Sequence, residues 1–68
     1  MENYRVTITF ERYNSTLQEW VEEEIFIQFK ALTLTEAVLQ GAAKAFSMCC
    51  GVSNYRCKSV SAVELTLE

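Results

Sequence analysis

Tyr4, Val6, Ile8 and Phe10 alternate with Arg5, Thr7, Thr9 and Glu11. Period two in β-branched and aromatic residues predicts a strand over about 4–13 with one buried face. Asn14-Ser15-Thr16 is a turn cluster. A second alternation sets Ile25, Ile27 and Phe29 against Phe26, Gln28 and Lys30, and predicts a strand over about 23–31. Its start is ambiguous. Leu17 and Val21 share the parity of Ile25, and a strand running from Leu17 would be unusually long. A bulge near Glu22–Glu24 or a wide loop through Trp20 would shorten it. Leu17, Trp20, Val21 and Glu24 also have the spacing of a short helical turn.

The period then changes. Thr33-Leu34-Thr35-Glu36 reads as a capping box, in which the Thr33 side chain accepts from the Glu36 N–H and Glu36 reaches back to the Thr33 N–H. From there Leu34, Ala37, Val38, Gly41, Ala42, Ala45, Phe46 and Cys49 follow helical spacing and predict a helix over about 34–49 with one apolar face. The middle of that face is small, so the helix axis can sit close to a sheet, with Leu34 and Phe46 filling the ends. Leu39 lies outside the stripe. Gly51 is placed to stop the helix as the left-handed C′ residue. A last strand is expected over about 59–67, with Val63, Leu65 and Leu67 on the core face and Ala62, Glu64 and Thr66 opposite.

The order β-β-α-β with a right-handed crossover makes strand three parallel to strand two. The simplest sheet has strand one in the centre, order 2-1-3, antiparallel at both junctions. The expected fold is therefore a single α+β domain over 1–68, a three-stranded antiparallel sheet with one helix on one face. The other face is left open, carrying Thr7, Thr9, Glu11, Phe26, Gln28, Lys30 and Ala62, with Tyr13 and Trp20 at one end.

Composition narrows the chemistry. Sixty-eight residues hold one core. Histidine and aspartate are both absent, and all nine acids are Glu. Without histidine, acid–base catalysis would need a strongly shifted Glu, Lys, Cys or Tyr, and so small a domain has little interior for such a shift. No enzyme is expected, and no cofactor. The net charge is −3, and the six cations Arg5, Arg12, Lys30, Lys44, Arg56 and Lys58 are scattered. Direct nucleic-acid binding, which draws its affinity from phosphate neutralisation, is disfavoured. The N-terminal residues run into a strand pattern rather than a signal-peptide core, and no stretch approaches the length of a membrane span. Three cysteines, an odd number, fit a reducing cytoplasm.

Two clusters invite a chemical reading. Cys49-Cys50 with Cys57 lacks both the four ligands and the spacing of a zinc site, so no metal is expected; Cys49 reads as core and Cys50 as outward. Glu19, Glu22, Glu23 and Glu24 flank Trp20 and form the one charge run. Trp and Tyr favour binding hot spots, and clustered carboxylates steer toward positive surfaces. Trp20, Glu22, Glu23 and Glu24, supported by Tyr13, are the expected contact patch for a larger, basic-surfaced protein. Arg12, Arg56 and Lys58 are the anion contacts of a different reading, an oligomeric sponge for a small molecule or nucleotide. A purely structural homo-oligomer is a third, pairing through the open sheet face or an edge strand.

The Tyr4–Phe10 alternation, the strand-to-helix passage Ala31–Phe46 and the terminal segment Ser61–Leu67 together resemble, as architecture, small phage-encoded inhibitors of the anti-CRISPR and host-takeover type. These are short, acidic, lone α/β domains without catalytic residues. The resemblance carries no diagnostic motif and transfers no functional residue. It implies stoichiometric binding to a host or bacterial immune protein in the host cytoplasm.

Overall fold

The computed structural model describes residues 2–65. Its elements are β1 (Glu2–Asn14), β2 (Glu19–Ala31), α1 (Leu34–Cys49) and β3 (Tyr55–Glu64). The sheet order is β2-β1-β3, with both junctions antiparallel, as the α+β reading of the sequence expects. β1 is central, and its inward row Tyr4, Val6, Ile8 and Phe10 is the buried spine of the molecule. Ala31, Ala37 and Ala45 complete the core.

The hairpin is longer than its hydrophobic alternation suggests. β1 and β2 pair without interruption from Glu2 opposite Ala31 to Asn14 opposite Glu19. The expected bulge near Glu22–Glu24, the wide loop and the helical turn are therefore all replaced by regular strand. Turn chemistry explains this. The Asn14 carboxamide oxygen accepts from the Thr16 and Leu17 N–H groups at 2.9 and 3.1 Å, and Gln18 takes φ 54°, the left-handed conformation that closes the loop. Thirteen-residue strands at about 3.4 Å per residue span roughly 44 Å, which matches the longest dimension of 45 Å. The radius of gyration is 13.7 Å, against about 11 Å for a compact chain of this length. Burial on β1 stops at Phe10, and the last turn of the hairpin projects beyond the core.

The irregularity sits in β3 instead. Its register against β1 shifts between Thr9 and Phe10, where Ser59 and Cys57 are the successive partners and Lys58 is the extra residue. Beyond it Ile8 faces Val60 and Val6 faces Ala62. This reverses the expected parity. Val60 and Ala62 pack on the core, whereas Val63 lies opposite Arg5 and is exposed. The segment carries apolar residues in both parities, and pairing with β1 selects the smaller pair, which fits beneath the helix. Ala62 thus leaves the open face and Val63 joins it. Leu65 is half-buried, its N–H donating to the Asn3 carbonyl at 2.8 Å. Thr66 and Leu67 lie outside the described residues.

The helix begins as expected, with the Thr33 hydroxyl accepting from the Glu36 N–H at 3.1 Å. The return half of the capping box is not made. The Glu36 carboxylate accepts from the Gln40 side chain at 3.3 Å instead. At the other end Gly51 has φ 79° and the Val52 N–H donates to the Cys49 carbonyl, a turn that demands glycine at its third position. The buried stripe of α1 is Ala37, Gly41 and Ala45. Leu34, Ala42 and Phe46, expected on that face, are exposed, with Phe46 at 71%. Close approach decides the rotation, because side chains as large as Leu34 and Phe46 would hold the helix away from the sheet; Ala42 lies beside the narrow stripe rather than on it. A Cβ at Gly41 would lie 2.5 Å from Val6 Cγ1 and 3.0 Å from Val60 Cγ1.

Two opposing effects decide what Gly41→Ala does. Alanine is favoured over glycine inside a helix by about 1 kcal/mol, while overpacking a tight contact costs about 1–3 kcal/mol. Val6 is fully buried and β-branched, so its methyl has nowhere to turn. Gly41→Ala is expected to lower the melting temperature. Its cost should shrink in a Val6→Ala background, where the opposing methyl is gone. A raised melting temperature for the single variant would show that the helix lifts freely.

Candidate functional site

The projecting end of the hairpin carries a cluster of charged and aromatic side chains, and strand alternation divides them between two faces. Tyr13 and Trp20 are cross-strand partners on the face away from the helix, meeting edge to face with ring centroids 5.6 Å apart. The Arg56 guanidinium lies 3.9 Å from the Trp20 ring centroid and donates through Nε to Glu11 at 2.9 Å. It spans β1, since Glu11 pairs with Arg56 on one side and with Glu22 on the other. Lys58, thrust out by the bulge, donates to the Glu22 carboxylate at 3.0 Å. That hydrogen bond and the carboxylate's charge hold the Lys58 ammonium above its ordinary pKa, against a smaller opposing effect of burial.

The opposite face of the same hairpin end has its own arginine. Arg12 pairs with Glu23 at 3.1 Å and lies over the Tyr55 ring at 5.1 Å. Tyr55 in turn stacks on Phe10, centroids 4.9 Å apart and planes within 15°. This stack joins the hairpin arm to the buried spine. A pocket of about 440 Å³ opens beside Arg12, between Asn14 and Ser15 of the turn and Val21 and Glu23 of β2.

The residues of the expected contact patch are thus brought to one end of the molecule but not to one surface. Trp20 and Tyr13 are together, with Trp20 half-buried and Tyr13 exposed. Glu22 and Glu24 share their face, and Glu23 points to the other, as period two requires. Glu22 and Glu23 are ion-paired, whereas Glu24 makes no ion pair among the described residues. Paired surface charges project little field. The electrostatic character of the run therefore rests on Glu19 and Glu24. The anion set Arg12, Arg56 and Lys58 does not converge. Arg12 lies on one face and Arg56 and Lys58 on the other, each engaged by a carboxylate at 2.9–3.1 Å.

Arg56 is the participant that a linear reading misses as part of the aromatic pair. The available signal was Glu11, a carboxylate on the open face of the central strand that calls for a cation from β3.

Cys57 lies on β3 between Arg56 and Lys58, opposite Phe10, and the other two cysteines lie at the C-terminal end of the helix. Cys49 is half-buried against the core, and burial raises its thiol pKa, with Cys57 nearby adding to the effect. Cys50 and Cys57 are exposed. Among the described residues, no three Cys or Glu side chains gather as a metal would require, and no helix is long and apolar enough to cross a membrane.

Comparison with protein-family models, with curated proteins and with solved structures finds no match for this chain. Its geometry stands alone as the basis for a functional reading.

Trp20 is the chain's single tryptophan, so its fluorescence reports directly on this cluster. Removing the guanidinium by Arg56→Ala is expected to shift Trp20 emission to longer wavelength as water reaches the ring. The loss of stability should stay within about 1 kcal/mol, the scale of an exposed cation–π contact. An unchanged spectrum would mean that Arg56 does not cover Trp20 in solution.

Proposed function

We propose that this chain is a non-enzymatic protein-binding module whose contact surface is the projecting end of the β1–β2 hairpin. One observation carries the reading. The Tyr13–Trp20 pair is held in place by Arg56 on an arm that extends past the buried spine. Aromatic anchors whose conformation is already set lose little entropy on binding and are the residue types that dominate interfaces. Around them lie the exposed Glu19 and Glu24, which suit a basic-surfaced partner. Stoichiometric attachment that blocks a larger protein is the corresponding mechanism. A phage-derived inhibitor of a host or bacterial immune protein, acting in the host cytoplasm, is the specific form that the architectural resemblance supports.

The sponge reading finds less support, because its three cations are divided between faces and paired with carboxylates.

The test is stoichiometric capture from a bacterial lysate by the tagged chain, compared with Trp20→Ala. The wild type is expected to retain one protein at defined stoichiometry, and the variant to lose it while still melting cooperatively. Glu19→Lys, which breaks no ion pair, should slow association several-fold at low salt and little at high salt. Retention of the same partner by Trp20→Ala would remove the hairpin end from the interface.

A further inference from the structure

β2 is an edge strand of unusual exposure. Among the described residues nothing pairs with its outer side along thirteen residues, and no bulge, proline or glycine interrupts it. The opposite edge, β3, is guarded by the Lys58 bulge and by Arg56, devices that discourage pairing between sheets. On β2 the stretch Ile25-Phe26-Ile27-Gln28-Phe29 carries no charge at all. Its core-side face is wholly apolar, and its open face sets Phe26 beside the uncharged Gln28. The helix packs chiefly on β3, and Ile25, Ile27 and Phe29 are only half-buried on the core side. Phe26 is 61% exposed on the other. Such a segment pairs with something or aggregates.

We infer that the outer edge of β2 pairs antiparallel with the β2 of a second copy, about a two-fold axis at Ile27, to form a continuous six-stranded sheet. The charges select this register. With Ile27 facing its own copy, Ile25 lies opposite the second copy's Phe29, Phe26 opposite its Gln28, and Glu24 opposite its Lys30. The two-fold repeats each pairing once. Opposed residues in an antiparallel pair share a face, so the apolar pairs fall on the helix side and extend the core from one subunit into the other. The Glu24–Lys30 pairs fall on the open face, one at each end of the junction. Moving the axis by one residue toward the turn would set Glu23 against Phe29; moving it the other way would set Phe26 against Lys30. Within one copy Glu24 faces Thr9 and Lys30 faces Asn3, and neither makes an ion pair among the described residues. Both charges are therefore available to a second copy, and an isologous interface of this kind closes on itself without leaving β2 exposed.

Sedimentation equilibrium on the full chain tests the pairing. The wild type is expected to associate reversibly to a dimer below about 100 µM, in keeping with an interface smaller than the standard size. Glu24→Lys and Lys30→Glu each place like charges in opposition twice per dimer and should weaken it about ten-fold. The combined variant restores opposite charges across the axis and should return to within about three-fold of the wild type. Thermal melts at low concentration should be the same for all four proteins, because neither charge is paired within a subunit among the described residues. A wild type that stays monomeric to about 100 µM overturns the proposal, since even a small specific interface would then be detected. So does a dimer indifferent to the single reversals, or one that the combined variant fails to restore.

Discussion

The closeness of α1 to the sheet at Gly41 governs where everything else can go. With no side chain at Gly41, the helix axis comes down over Val6 and Val60, and only residues as small as Ala37 and Ala45 can flank that contact. A helix seated this deeply buries a narrow stripe. Its larger apolar residues, Leu34, Leu39 and Phe46, are turned outward. The same seating draws the helix chiefly over β3, with less contact to β1 and β2. The core is tight where the helix touches and thin where it does not. The half-exposure of Ile25, Ile27 and Phe29 is the direct consequence.

β1 converts that local packing into a whole molecule. Its inward row meets the helix, while both of its edges are paired. Since β1 and β2 stay in register for their full length, rigidity is carried outward along the hairpin past the last buried residue. A two-stranded ribbon alone is marginal in water. The projecting end is supported on both faces by arginines that join neighbouring strands: Arg56 across Glu11 to Trp20, Arg12 across Glu23 to Tyr55. Each contact is individually weak at this exposure. Their value lies in fixing rotamers, which is what the proposed contact surface would need.

Much of this was legible in the linear chain, for identifiable reasons. The spine Tyr4 to Phe10 alternates without exception, the Thr33 cap is unambiguous, and Gly51 marks the helix end, so element order and sheet order follow. Three features were not legible. The start of β2 was hidden because Glu22, Glu23 and Glu24 are polar in both parities and erase the alternation. The parity of β3 was hidden because Val60 and Ala62 compete with Val63 and Leu65, and the choice depends on space beneath a helix that sequence does not measure. The buried stripe of α1 lies within the expected face but is narrower, because hydrophobicity ranks Phe46 above Ala45, whereas close approach ranks them the other way. The residues grouped from the sequence as a contact patch lie at one end of the hairpin but not on one face. Their division between faces needed the length of β2, and the part played by Arg56 needed β3 to begin at Tyr55, ahead of the expected start near Ser59.

The two surfaces that the fold leaves uncovered are compatible because they occupy different parts of β2. Residues Glu23 to Ala31 form the edge, while Trp20 belongs to the end beyond it. Antiparallel pairing through the edge directs the two hairpin ends away from each other, so that each Tyr13–Trp20 pair stays accessible and one compact partner cannot bridge both. The proposed dimer would present two oppositely directed copies of the proposed contact end. Its gain in avidity appears only when the partner is itself repeated or multivalent, because linkage helps only where geometry lets both sites engage at once. A monomeric partner would bind each end with the affinity of a single site. Whether dimerisation strengthens binding is thus a property of the partner's arrangement. The thin core over β2 that permits pairing is the same one that the seating of Gly41 creates.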